Sequence, residues 1–286
     1  MSRIGIIGGS GLYKIEGFKN IKQQSVNTPF GEPSDKFTLG NLAGKEAVFL
    51  PRHAIGHRIS PTEINYRANI WAMKKLGVDR IISITACGSL KEDLRPLDFV
   101  LPDQFVDRTN QARKMTFFSD GIVAHISFAH PVCDQFRALI FRAINSLGLN
   151  VHNGGTYLNM EGPAFSTKAE SELYRSWDMD IIGMTNMAEA RLAREAEICF
   201  VTLAAVTDYD CWHESETPVT VEMIIANLNK NIDNAKKILT KVIPEISEER
   251  TCECKGALKN AIITGESFIP KKTKKNLSLL ISKYIK

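Results

Sequence analysis

The residues best placed to do chemistry stand at the end of an apolar run. Ile198 to Trp212 reads ICFVTLAAVTDYDCW, uncharged from Ile198 to Thr207 and then breaking into Asp208-Tyr209-Asp210. Carboxylates at i and i+2 point to one side if the backbone stays extended. Together they could accept from two donors on one ligand, such as a purine's protonated N7 and its 6-amino group. The other reading of this stretch is a solvated acidic turn behind a core strand. A second set is cationic: KEAVFLP, Lys45 to Pro51, is followed by Arg52-His53 and then His57-Arg58. Arginine offers planar, paired donors that fit phosphate, although the same residues also suit a basic patch of surface. A third is RIGIIGGSGL, Arg3 to Leu12, where Gly8-Gly9-Ser10-Gly11 lets backbone N–H groups approach an anion. It is not a dinucleotide fingerprint, because Gly9-x-Gly11 leads to Lys14 rather than glycine and no strand ending in an acid follows about 20 residues on. GxxxxGK[ST] is absent as well, so in isolation the motif is a plain glycine turn.

These residues need a scaffold that gathers them, and the rest of the chain reads as one. The apolar run into Asp208 is rich in Val, Ile, Thr and Phe, as expected for a strand buried on both faces of a largely parallel sheet. Val78 to Gly88, VDRIISITACG, is another, ending in a turn with Thr85, Cys87, Gly88 and Ser89. Cys87 there reads as a small buried hydrophobe rather than a nucleophile, with no base beside it. Ser60 with Glu63, Pro61 at the first helical position and Gly77 as stop predict a capped helix between them. Further strands are expected at Asp98 to Pro102 and Asp180 to Met184, the last leading to Thr185, and Gly155 to Phe165 reads as a strand and a glycine-proline turn. Helices are expected over Pro131 to Leu147, Thr167 to Trp177, Asn186 to Ala196, Val221 to Val242 and roughly Asn276 to Ile285. Gln104 to His130 reads as a loop excursion; its His125 and His130 lack metal-ligand spacing, HExxH is absent, and structural roles are the default. In open α/β sheets ligands bind beyond the carboxyl ends of strands. Ser10, Arg52-His53, Thr85, Thr185 and Asp208 with Asp210 all fall at such ends, giving anion donors at four of them and two acids at the fifth.

Composition limits the function classes. The 286 residues are 44% hydrophobic and 24% charged, with a net charge of +4 and a pI near 8.6. The positive excess lies partly in Lys271-Lys272-Thr273-Lys274-Lys275, a solvated face, and no basic stripe with interleaved aromatics suggests nucleic acid. No run approaches the ~20 apolar residues of a membrane span, and the amino terminus is no signal peptide. Six cysteines, four of them isolated in apolar sequence, suggest a reduced, cytoplasmic protein rather than a disulfide scaffold. Without repeats, low-complexity linkers or a composition shift, residues 1–286 are expected to form one α/β domain, a mixed and largely parallel sheet flanked by helices.

The ordered segments GIIGGSGL (5–12), NTPFGEPSD (27–35), RHAIGHRISPTEINYRANIWA (52–72), TACGSL (85–90), DQFVDRT (103–109), EGPAFSTKAE (161–170) and AVTDYDCW (205–212) resemble the 5′-methylthioadenosine phosphorylases of the trimeric purine nucleoside phosphorylase family. The resemblance implies a nucleoside phosphorylase fold. It also implies a reaction of phosphate with methylthioadenosine, giving adenine and 5-methylthioribose-1-phosphate, with adenosine a weaker substrate. Phosphate would be held by Ser10, Arg52, His53, Thr85, the Ala86 backbone and Thr185. Phe165 would pack on the purine and Met184 along the ribose, with Asp208 at N7 and Asp210 at the 6-amino group. Val221 and Ile224 match positions lining the methylthio pocket, and His125 a residue inserted from the neighbouring subunit of a homotrimer or hexamer. No cofactor beyond the co-substrate phosphate and no metal is implied. Ser10 stands where some members carry threonine, and His57 carries no role over. Cys252-Glu253-Cys254 resembles a pair that can be oxidised in certain heat-stable members; read from the residues alone it is two free, exposed thiols, and the pair by itself lacks the four ligands zinc takes.

Other classes make different demands. A nucleotide-binding oxidoreductase lacks its third glycine and its ribose acid. A non-catalytic adenine-nucleoside binder would leave Arg52-His53 and Thr85 without a purpose. Within the family, a hydrolase would not need the anion donors. A phosphorylase of 6-oxopurines would set the Asp210 carboxylate against a keto oxygen, and a broader purine nucleoside phosphorylase would accept both bases.

Overall fold

The computed structural model describes residues 3–9, 12, 17–110, 113–213 and 221–285, without the side chains of Val221, Met223 and Ile224. In chain order the elements are β1 (Arg3–Gly8), β2 (Phe18–Gln24), β3 (Phe37–Leu42), β4 (Lys45–Pro51), α1 (Tyr66–Lys75), β5 (Val78–Ser89), β6 (Phe99–Leu101), β7 (Gln104–Arg108), α2 (Asp134–Ser146), β8 (Val151–Asn153), β9 (Thr156–Met160), α3 (Lys168–Ser176), β10 (Ile181–Gly183), α4 (Asn186–Glu195), β11 (Cys199–Asp208), α5 (Val221–Val242) and α6 (Lys271–Ile281).

The strands form one eleven-stranded mixed sheet in the order β2-β3-β4-β1-β5-β10-β9-β7, with β11 also on β5, β6 on β11 and β8 on β6. Its centre is parallel: β1 pairs with β4 and β5, and β11 runs beside β5 from Cys199 opposite Arg80 to Asp208 opposite Gly88. The interior strands are buried on both faces, which is why their sequences are continuous apolar runs. One face of the sheet packs α1, α4 and α6 around Ile70, Met73, Leu192 and Leu280. The other packs α2 and α5 around Phe136, Ile140, Ile238 and Leu239. Among the described residues no helix is long and apolar enough to cross a membrane.

Several elements depart from the sequence reading for local reasons. The Ser60–Glu63 pair forms, with the Ser60 hydroxyl and N–H both donating to Glu63 Oε2. It closes a turn, however, and α1 starts only at Tyr66, where the Asn65 side chain accepts from Ala68 N–H. The helix expected from Asn186 starts there with Thr185 as its cap residue, and α6 begins in the lysine run, ahead of the expected Asn276. Four strands lay outside the reading. β2 and β3 form an antiparallel edge, and β2 exposes nearly all of FKNIKQQ, so it carries no apolar pattern. Its lysines suit an edge that must not recruit another strand. β7 lies within the supposed loop excursion, and β8 spans three residues.

Candidate active site

The carboxyl ends of β1, β4, β5, β9, β10 and β11 surround a cavity of about 330 Å³, lined by Gly9, Arg52, His53, Thr85, Ala86, Met160, Phe165, Met184, Thr185, Asp208 and Asp210 among others. β1, β4, β5 and β11 reach it running in parallel. β10 arrives antiparallel to the end of β5, with Ile182 opposite Gly88, so Met184 and Thr185 close the site from the other side. Ser10 lies outside the described residues, as do the side chains of Val221 and Ile224; α5 nonetheless reaches the cavity through Leu228, Asn231 and Ile232. His125 is not at this cavity. It is exposed, and its backbone N–H is bonded to the Ala261 carbonyl.

The cationic side is built on Arg52. This side chain is 1% exposed and is held by a carboxylate that lies far from it in sequence. Arg52 Nε donates to Glu189 Oε1 at 2.8 Å, and Nη2 donates to Glu189 Oε2 at 3.3 Å and to Ser83 Oγ at 2.6 Å. The Ser83 hydroxyl and Asn186 Nδ2 also donate to Glu189 Oε2, at 2.5 and 2.9 Å. Glu189, in the first turn of α4, is thus the buried counter-ion of Arg52. The Arg52 backbone N–H donates to the Gly8 carbonyl at 3.0 Å, which ties the glycine turn to the arginine. Arg58, counted with this cluster in the sequence, instead faces Asp35 at 4.0 Å on the surface.

His53 is bonded through Nδ1 to the Ile59 carbonyl at 2.8 Å and stacks on His57, ring centroids 4.3 Å apart. Burial, and then the neighbouring Arg52 charge, bring its pKa from 6.5 down to about 4. At neutral pH the ring is therefore uncharged and donates through Nδ1, leaving Nε2 as an acceptor. Thr185 caps α4 without a side-chain cap bond, and its buried hydroxyl has no partner among the described residues. A helix amino terminus favours negative charge. Arg52, Thr85 and Thr185 line this side of the cavity beside that terminus, a set of donors that could hold an anion.

The acidic side forms differently from the alternation read in the sequence. The β11 register shifts between Val206 and Asp208, a bulge that re-aims the strand end. Asp210 is past the strand, at φ 53°, a left-handed conformation aspartate tolerates better than most residues. Both acids still line the cavity. Asp208 Oδ2 accepts from the Thr207 hydroxyl at 2.7 Å and Oδ1 from the Asp210 N–H at 2.8 Å. Burial raises the pKa of each above the usual carboxylate value. Gly88 makes their approach possible: a Cβ there would stand 3.2 Å from Asp208 Oδ1 and 3.1 Å from Ile182 Cγ2. Cys87, beside it, is buried and its thiol is pushed well up by that burial, so it stays protonated and is no nucleophile.

Supporting residues without a sequence signal complete the site. Arg113, in the stretch read as a loop, donates to the Met184 carbonyl and, at 2.6 Å, to the Glu161 carbonyl; it fixes the segment that carries Met184. Gly162, at φ 69°, leaves room for the Met184 side chain, because a Cβ there would overlap Met184 Sδ. Asn227 and Asn231 of α5 donate to the Thr207 and Val206 carbonyls at 2.9 and 2.8 Å, clamping the end of β11. Phe165 stands 70% exposed at the cavity wall, an aromatic face open to a planar ligand. The site therefore sets anion donors on one side, a pair of acids whose pKa values burial raises on the other, and an apolar wall between them.

The profile of the Phosphorylase superfamily matches residues 3–244. The chain is 55% identical over 283 residues to the S-methyl-5′-thioadenosine phosphorylase of Koribacter versatilis (strain Ellin345), covering 99% of this chain and 97% of that one. It is 55% identical over 282 residues to that of Geobacter sulfurreducens (strain ATCC 51573 / DSM 12127 / PCA), covering 99% of both. The crystal structure of a methylthioadenosine phosphorylase sourced from an antarctic soil metagenomic library is similar at a TM-score of 0.92 and 48% identity, over 97% of this chain and 98% of that one. Methylthioadenosine phosphorylase from Schistosoma mansoni in complex with adenine is similar at 0.84 and 34%, over 99% and 98%. This chain belongs to the phosphorylase superfamily, among its S-methyl-5′-thioadenosine phosphorylases.

Proposed function

We infer that the protein splits S-methyl-5′-thioadenosine with inorganic phosphate, giving adenine and 5-methylthioribose-1-phosphate. The observation that carries this reading is the pairing, in one cavity, of an anion cradle around Arg52 and Thr185 with two acids whose pKa values burial has raised. The C1′–N9 bond breaks as a phosphate oxygen bonds to C1′. Negative charge builds on the leaving base, and the Asp208 proton passes to N7, so that adenine departs neutral. A positioned proton donor of this kind contributes ~10²- to 10⁴-fold. Burial of Asp208 supports the role, since a carboxyl must keep its proton to donate it. Asp210 accepts from the 6-amino group.

Positive charge builds on the ribose ring, where the phosphate dianion both stabilises it and attacks. Arg52 offers Nη1 to that dianion, since Nε and Nη2 are occupied by Glu189 and Ser83. Thr85, the Ala86 backbone and the Thr185 hydroxyl fix the phosphate further, with Ser10 as an additional hydroxyl in this reading. Neutral His53 accepts through Nε2, which suits the proton of a monohydrogen phosphate. Phe165 packs on the purine and Met184 on the ribose. Leu228 and Ile232, on the same helix as Val221 and Ile224, give the 5′ substituent an apolar wall. A 5′-hydroxyl there loses its water contacts at a cost of ~1–3 kcal/mol, so adenosine is a weaker substrate. His125, held on the surface by Ala261, reaches the site of a neighbouring subunit in a homotrimer or a dimer of trimers.

A substrate panel tests this reading. Methylthioadenosine should be cleaved roughly tenfold or more faster than adenosine in kcat/KM, and inosine hardly at all. Equal rates on inosine and methylthioadenosine would replace the assignment with a broad purine nucleoside phosphorylase.

A further inference from the structure

Cys133, Cys199, Cys252 and Cys254 come from separate parts of the chain, yet their sulfurs all lie within 4.8 Å of one another. Cys133 is the cap residue of α2, Cys199 opens β11, and Cys252 and Cys254 stand in the segment that follows α5. All four are free thiols. The C-x-C pair is not exposed as its sequence suggests: Cys254 is 4% exposed and Cys252 half-buried. Zinc binds thiolates at ~2.3 Å, and a tetrahedron of that size has sulfur–sulfur edges of ~3.8 Å. That edge lies within the 4.8 Å that bounds every pair here, and Cys199 Sγ and Cys252 Sγ stand 3.3 Å apart. Four mutually close sulfurs make a closed shell for one ion.

We propose that Cys133, Cys199, Cys252 and Cys254 form a structural zinc site that fastens the segment after α5 to the base of the sheet. Each thiol releases its proton to solvent on binding, so the loaded site carries two negative charges. Two features offset them. Cys133 caps α2, whose amino terminus is positive. Arg250 Nη1 stands 4.0 Å from Cys199 Sγ while donating to the Glu197 carbonyl at 2.8 Å. Such surrounding groups orient ligands and tune a metal site. The backbone is already docked, since the Cys133 N–H donates to the Phe200 carbonyl at 3.0 Å. With all four positions taken by sulfur there is no open one for substrate, which marks a structural rather than a catalytic site. It is also remote from the reaction: Cys199 and Asp208 are opposite ends of β11, roughly 30 Å apart at ~3.3 Å per residue.

The test is the metal content of the intact protein, expressed with zinc in the medium and purified under reductant without chelator. About one zinc per chain is expected, released when the thiols are titrated with an organomercurial. Cobalt exchanged into the site should show thiolate-to-metal charge transfer and the intense ligand-field bands of a tetrahedral centre. Cys252→Ser and Cys254→Ser should each lose most of the zinc, whereas Cys211→Ser, which changes the exposed cysteine, should keep it. The parent measurement stands even if a variant fails to fold. Four titratable thiols without metal, or a mass showing the cysteines paired as disulfides, would overturn the proposal. Iron in place of zinc would overturn the choice of metal.

Discussion

Glu189→Gln probes whether Arg52 is positioned by its counter-ion. The Glu189 carboxylate accepts from Arg52 Nε and Nη2, Ser83 Oγ and Asn186 Nδ2. A glutamine fills the same volume but has one acceptor oxygen. If that oxygen takes the Oε2 position, its amide meets Arg52 Nε–H donor to donor; if it takes the Oε1 position, the amide meets the other three donors. Either way Arg52 keeps its charge in a buried place without compensation, which costs ~3–5 kcal/mol. At roughly 2–4 °C per kcal/mol for a chain of this size, the melting temperature should fall by about 10 °C. The released guanidinium also no longer holds Nη1 in place, and a misplacement of ~1 Å costs on the order of 10²-fold. Thermal unfolding and kcat/KM for phosphate, measured on parent and variant, read both effects. A variant that melts within about 1 °C of the parent and uses phosphate as well would show that Glu189 neither balances nor positions Arg52.

The remaining predictions are simpler. Thr185→Val removes a buried hydroxyl with no partner among the described residues; it should leave the melting temperature nearly unchanged and raise the phosphate KM by ~10-fold or more, the value of one bond to a charged group. An unchanged KM would take Thr185 out of the anion cradle. Asp210→Asn should shift preference toward 6-oxopurines, because an amide donates as well as accepts; unaltered discrimination between methylthioadenosine and inosine would remove Asp210 from base recognition. Glu195 tests a pH effect away from the site. Burial, against opposing bonds from Phe117 N–H and the Thr116 hydroxyl, raises its pKa from 4.5 to about 7. A carboxyl whose pKa is raised by folding contributes stability below pH 4.5 that is lost as pH rises through about 7. The parent should therefore fall relative to Glu195→Gln across that window, by on the order of 3 kcal/mol, and parallel stability curves would contradict the shift.

What the sequence could show follows from how local each signal is. β5, β11 and α5 were legible because burial on both faces, or along one helical stripe, writes itself into consecutive residues. The helix expected from Thr167 opens on a capping box of Thr167 with Glu170. The same logic failed at Ser60–Glu63, where the side-chain bonds exist but Asn65 takes the cap. Asp208 and Asp210 were found by type and place, yet a bulge and a left-handed residue, not strand alternation, bring them together. Arg113 and Asn231 carried no signal, and nothing local tied Glu189 to Arg52, since these contacts join partners distant in sequence. The cysteine cluster was hidden for the same reason: C-x-C is visible as a pair, but its companions Cys133 and Cys199 are isolated residues in apolar sequence, joined only by the packing of α2 against β11.

The most direct test of phosphorolysis at this cavity is adenine release from methylthioadenosine with and without phosphate, in the parent and in Arg52→Ala. Release that requires phosphate in the parent, and that in the variant needs far more phosphate, is the predicted result. Release independent of phosphate would make the enzyme a hydrolase and leave the buried Arg52–Glu189 pair a purely structural feature of the fold.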